Sequence, residues 1–94
     1  MNLEETEKIQ DQNGSSDTSF VDNQVVAIIA RVAGIEESLV DIDSDLVNDI
    51  GIDSLGFYEI LIEADEKLGI RIPEADLLGF KTVRDVQDYL RRII

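Results

Sequence analysis

Val21, Val25, Ile28, Ile29 and Val32 recur at spacings of three and four, with polar and small residues between them. That period predicts an amphipathic helix, and Gly34 behind Val32 is its stop signal. From Ile35 to Asp53 the period is lost. Ile35, Val40, Leu46 and Ile50 stand singly among Asp and Ser, which predicts a long loop pinned to a core at isolated points. Connections of that length in small domains are uncommon and are often functional. Periodicity resumes at Ser54 and predicts a second helix from about Ser54 to Leu68, closed by Gly69. This segment is apolar nearly all round. Ile60, Leu61, Ala64 and Leu68 form a stripe suited to a core. Leu55, Tyr58 and Ile62 form a second stripe that a small domain leaves at least partly exposed.

Ile70-Arg71-Ile72-Pro73 reads as extended, because the residue before proline avoids the helical region. Pro73 then opens a short third helix over roughly residues 74–79, ended by Gly79. Thr82 is a good N-cap for a fourth helix, with Asp85 as its capping-box partner. Val83, Val86, Leu90 and Ile93 should face inward, and Arg91 and Arg92 suit the negative end of the helix dipole. The fold class is therefore all-α: a small four-helix bundle of three longer helices and a short third one. A long loop joins helices one and two. Residues 1–19 are polar, with Leu3 and Ile9 the sole aliphatics after Met1, and read as a disordered acidic tail. A short frayed helix over residues 3–10 is the alternative. The folded domain should span residues 20–94.

Charge narrows the function. Asp and Glu number 21 against 8 Lys and Arg, for a formal net charge of −13. Nucleic acid and anionic membrane surfaces need the opposite sign, so basic patches on other proteins are the natural partners. Residues 32–66 hold eleven acids and no base. A solvated face is the plain reading of such a run, and a docking surface competes with it. No stretch is long enough to span a bilayer, and the N-terminus does not resemble a signal peptide. The expectation is a cytoplasmic, monomeric protein without membrane insertion.

The candidate chemistry centres on "GIDSLG", residues 51–56. Nucleophilic catalysis by Ser54 is excluded by the lack of histidine, and the nucleophile-elbow pattern fails at Ile52. Asp41, Asp43 and Asp45 copy the opening of an EF-hand loop. Leu46 and Ile52 then stand where that loop needs glycine and a bidentate glutamate, which leaves no specific metal site, only loosely held divalent ions. Two readings of Ser54 remain and are compatible. Its hydroxyl caps the second helix, or it carries a phosphodiester at the helix's positive end, with Asp53 helping to hold a metal or proton during the transfer.

The run "DIGIDSLGFYEILIEADEKLGIRIPEADLLGFKTVRDVQDYL" resembles the acyl carrier proteins. The likeness rests on Gly-x-Asp-Ser-Leu, Glu59 on helix two, the Ile72-Pro73 pair, Thr82-Val83 at the last helix and "IIARVAGI" in the first. It covers about residues 20–94. The resemblance implies an acyl-carrier-like bundle with 4′-phosphopantetheine on Ser54, flanked by Asp53 and Leu55. A separate phosphopantetheinyl transferase would add the arm from coenzyme A with magnesium, supplying a thiol to a chain without cysteine. The protein would be a carrier and not an enzyme. It would present acyl thioesters to loading and processing enzymes with basic docking patches. Helix two would be the recognition helix, through Leu55, Tyr58, Glu59, Ile62, Asp65 and Glu66, with Glu63 among its acids.

Gly56, Tyr58, Leu77 and Leu78 depart from the pattern of the fatty-acid-synthesis carriers. Gly56 lowers helix propensity by about 1 kcal/mol relative to alanine. These departures point to a specialised carrier for a polyketide, an unusual lipid or an aminoacyl group. The double glycine of peptidyl carriers is absent. An unmodified acidic interaction domain with the carrier fold is the competing class.

Overall fold

The structure, a computed structural model, describes the backbone of residues 13–93 and the side chains from Ser19 to Ile93. Its elements are α1 (Asn13–Ala33), α2 (Ser54–Leu68), α3 (Glu74–Leu77) and α4 (Val83–Ile93), with a 3-10 turn (Glu37–Leu39) between α1 and α2. No strand forms among the described residues; a lone bridge pairs Asp45 with Thr82. The all-α expectation holds, and α2 has the bounds that periodicity predicted.

α1 starts at Asn13, earlier than the Phe20 boundary read from the sequence. Residues 13–19, assigned above to the tail, are therefore helical, whereas residues 1–12 lie outside the described residues. Among the described side chains of α1, burial begins at Val21, which is 3% exposed, and continues through Val25, Ile28 and Ile29. These meet Ile60 and Ala64 of α2, Ile72, and Val86 and Leu90 of α4 in one apolar centre. α1 packs on both α2 and α4.

One inward expectation fails on α4. Ile93 is 50% exposed: the core ends at Leu90, and the last turn of the helix overhangs it. Gln87 is buried instead, and its side-chain N–H donates to the Asp22 carbonyl at 3.3 Å. Arg91 reaches the Asp22 carboxylate at 3.0 Å and that of Asp88 at 2.7 Å. A residue expected to answer a helix dipole thus also ties the end of α4 to α1.

The α1–α2 connection is anchored rather than loose. Leu46 is fully buried and Ile52 nearly so, while Val40, Ile42 and Ile50 rest against the core. The backbone is fastened to the start of α4: the Leu46 N–H donates to the Lys81 carbonyl and the Arg84 N–H to the Ile42 carbonyl, each at 2.8 Å. The Asp45 carboxylate accepts the Val47 and Asn48 N–H groups at 2.9 and 2.8 Å, closing a local turn. Of the aspartates that resemble a calcium loop, Asp43 pairs with Arg84 at 2.9 Å and Asp45 with Lys81 at 3.5 Å. At α4 the expected capping box forms. The Asp85 N–H donates to the Thr82 hydroxyl at 3.2 Å, and the Thr82 N–H donates to the Asp85 carboxylate at 3.0 Å.

These bonds set an acid dependence. The Asn48 N–H is the largest cause holding the Asp45 carboxyl below its ordinary value; desolvation opposes it, and the Val47 N–H and Lys81 reinforce it. A carboxylate with a depressed folded pKa stabilises the fold above its unfolded pKa and loses that contribution as pH falls. The melting temperature of Asp45→Ala should therefore lie below that of the unmodified sequence at neutral pH. The gap should close below about pH 4. Comparing the two proteins cancels the general relief of repulsion that protonation brings to both. Thermal melts across that range check it, and a gap that stays constant would remove the Asp45 bonds as its source.

Candidate functional site

The chain enters α2 through Gly51, whose φ of +90° suits glycine. Ile52 follows, buried and held by its N–H to the Leu46 carbonyl at 2.8 Å. Asp53 is the extended N-cap residue of α2, and its carboxylate accepts the Gly56 N–H at 2.8 Å. Its carbonyl accepts the Phe57 N–H at 3.0 Å, the first bond of the helix. Asp53, not Ser54, is thus the cap. An N-cap has its own carbonyl in the first helical bond and its side chain aimed at the donor three residues on, and Asp53 meets both conditions. Ser54 is the first helical residue and is exposed. The hydroxyl read above as a cap is released from that task.

Leu55, Tyr58 and Ile62 are 66, 42 and 51% exposed, while Phe57, Ile60 and Ala64 turn into the core. The second stripe read from the sequence is therefore on the surface. Glu59, Asp65 and Glu66 are exposed beside it. Glu63 differs: Arg31 and Lys67 approach its carboxylate at 3.6 and 3.9 Å, on the side where α1 meets α2. Its charge is answered within the chain. A groove there is lined by Arg31, Val32, Glu59, Ile62 and Glu63.

Tyr58 is more than an apolar anchor. Its hydroxyl donates to the Glu74 carboxylate, and this bond raises the phenol pKa. On the other side of α3, the Tyr89 hydroxyl donates to Asp76 at 2.7 Å. Two tyrosines thus hold the one-turn helix α3 from α2 and from α4. Leu77 seals it from below, and Leu78 is 64% exposed. Glu74 carried no sequence signal as the partner of Tyr58: the two are sixteen positions apart and meet only through the fold.

The site so built is an exposed serine at the start of a fifteen-residue helix, capped by the residue before it and followed by an apolar and acidic surface. A family profile described as "Phosphopantetheine attachment site" matches residues 23–90. An acyl carrier protein of Rhodococcus erythropolis is 39% identical over 66 residues, 70% of this chain and 72% of the relative. Meromycolate extension acyl carrier proteins are similar too. That of Mycobacterium leprae is 39% identical over 73% of this chain, and that of Mycolicibacterium aurum 42% identical over 70%. The matched region spans 60% of the Mycobacterium leprae protein and 68% of the Mycolicibacterium aurum one. The chain belongs to the acyl carrier protein family.

Proposed function

We propose that Ser54 carries the phosphopantetheine arm and that the α2 surface receives the partner enzymes. Membership of the family makes the protein a carrier rather than a catalyst, with 4′-phosphopantetheine as its prosthetic group. The observation that supports Ser54 is the division of labour at the start of α2. Asp53 takes the cap, so the Ser54 hydroxyl is outward and uncommitted. The residues fit the group: a primary hydroxyl is exposed at the positive end of a helix, where a phosphodiester is favoured. In the transfer, the Ser54 Oγ forms the new O–P bond as the pyrophosphate P–O bond of coenzyme A breaks. The hydroxyl proton passes to a base, and the nucleotide half departs. When bound, the arm supplies the thiol on which an acyl group is held as a thioester.

The relatives named for meromycolate extension favour a growing acyl chain as cargo over an aminoacyl one. Glu59, Asp65 and Glu66 offer charge to a basic partner, and Leu55, Ile62 and Leu78 offer apolar contact. Charge speeds encounter and fixes orientation, whereas desolvated apolar anchors lengthen the life of a complex.

Intact-protein mass after incubation with coenzyme A and a broad-specificity transferase should rise by one phosphopantetheine, and Ser54→Ala should abolish the gain. An unmodified mass would favour the interaction-domain reading. Because Asp53 holds the cap, Ser54→Ala should leave stability within about 0.5 kcal/mol, while Asp53→Ala should cost about 1 kcal/mol. Urea melts of both variants decide between the two caps.

Binding to the transferase at two salt concentrations tests the surface. Glu59→Lys should slow association, with a defect that shrinks at high salt. Ile62→Ala should act mainly on dissociation and respond little to salt. Association untouched by Glu59→Lys, with loss of binding on substituting exposed α4 residues, would move the docking face elsewhere.

A further inference from the structure

Gly56 stands inside α2, where glycine weakens a helix relative to alanine. Conformation does not explain it: the positive-φ glycines are Gly34, Gly51 and Gly69. Room does. A Cβ on Gly56 would lie 2.7 Å from Ile52 Cγ2, 3.3 Å from Val32 Cγ1 and 3.4 Å from an Asp53 carboxylate oxygen. Carbon atoms in good contact sit about 3.5–4.0 Å apart, so the first of these is a clash. Ile52 has little freedom to retreat. Cγ2 is a branch on Cβ and moves only with a stiff χ1. The side chain is 3% exposed, and the backbone is bonded to Leu46 at 2.8 Å.

Ile52 and Gly56 therefore touch beneath Asp53-Ser54-Leu55 and close a short loop over that tripeptide. The same glycine donates its N–H to the Asp53 cap at 2.8 Å. We propose that Gly56 is a positioning residue for modification: its bare Cα seats the first turn of α2 on Ile52 and so fixes where the Ser54 hydroxyl is presented. This inference rests on Ser54 being the attachment site. A side chain at position 56 must lift the turn off Ile52 or displace Ile52 itself. Ser54 lies between the two contact points and moves with either. Displacing a reacting group by about an ångström costs up to about a hundredfold in rate.

The test uses the full chain with coenzyme A and a broad-specificity transferase. Gly56→Ala is made alone, with Ile52→Leu and with Ile52→Val. Leucine lacks the clashing Cβ branch, and valine keeps it. Each variant is assayed at a temperature where circular dichroism shows it folded. Gly56→Ala should shift the backbone amide resonances of residues 53–55 and lower kcat for modification by about tenfold or more, with a smaller change in KM. Measured against the corresponding Ile52 single variant, Ile52→Leu should restore most of the rate and the resonances, and Ile52→Val should not. Modification of Gly56→Ala at the unaltered rate would overturn the proposal. So would equal rescue by both Ile52 variants, or a Gly56→Ala chain that unfolds and is not recovered by Ile52→Leu. Failure of the underlying reading looks different: Ser54→Ala would still gain mass, while the amide shifts and their selective rescue would be unaffected.

Discussion

The arrangement at the start of α2 depends on burying two side chains from the long connection, Leu46 and Ile52. The segment between Ala33 and Ser54 is rich in acids and has little regular structure. Ordering it costs conformational entropy that its own hydrogen bonds do not offset. Burial of these two residues supplies a driving force, and the backbone bonds from Leu46 to Lys81 and from Arg84 to Ile42 convert it into a defined path. Leu46 accepts the Ile52 N–H, so both anchors belong to one unit that ends at the cap of α2. A serine on a loosely held loop would carry a long arm without a defined direction. Here Ser54 is referred to the core within two residues, through Ile52.

Charge is arranged around that anchor rather than spread evenly. Lys81 and Arg84 answer Asp45 and Asp43 in the connection, Arg31 and Lys67 answer Glu63, and Arg91 answers Asp22. Most of these pairs are at least partly exposed, and each contributes little to stability by itself. Their effect is on where negative charge is left over. No ion pair among those described engages Glu59, Asp65 or Glu66, so the charge of these three on α2 is left unanswered. On the docking face proposed above, that unanswered charge is what would steer a basic partner.

The tyrosines add a second layer. α3 is a single turn, and a turn that short has little stability without tertiary support. Tyr58 and Tyr89 hold it from opposite sides through Glu74 and Asp76, and Leu77 fastens it from beneath. The exposed Leu78 is therefore offered from a braced element, next to a helix whose own apolar stripe includes the bracing Tyr58.

Much of this was legible in the residues. The 3.6-residue period placed α2 within its observed bounds, and Thr82 with Asp85 marked the start of α4. The second apolar stripe of α2 could be read because a cylinder apolar all round cannot be buried all round in so small a domain. Asp-Ser-Leu in its setting carried the family and with it the arm. Local patterns determine such things because periodicity, capping and short motifs act over a few neighbouring residues. What the tertiary structure decided lies between distant ones. Asp53 and Ser54 are both competent caps by residue type, and only the direction of the chain leaving Ile52 assigns the task to Asp53. Ile93 fits the inward period of α4, and only the position of the core's edge leaves it outside. Glu63 reads as one more docking acid until α1 brings Arg31 beside it. Gly56 reads as a weak spot in a helix until Ile52 and Val32 occupy the space a side chain would need. Each turns on the volume or charge supplied by another segment, which no local pattern contains.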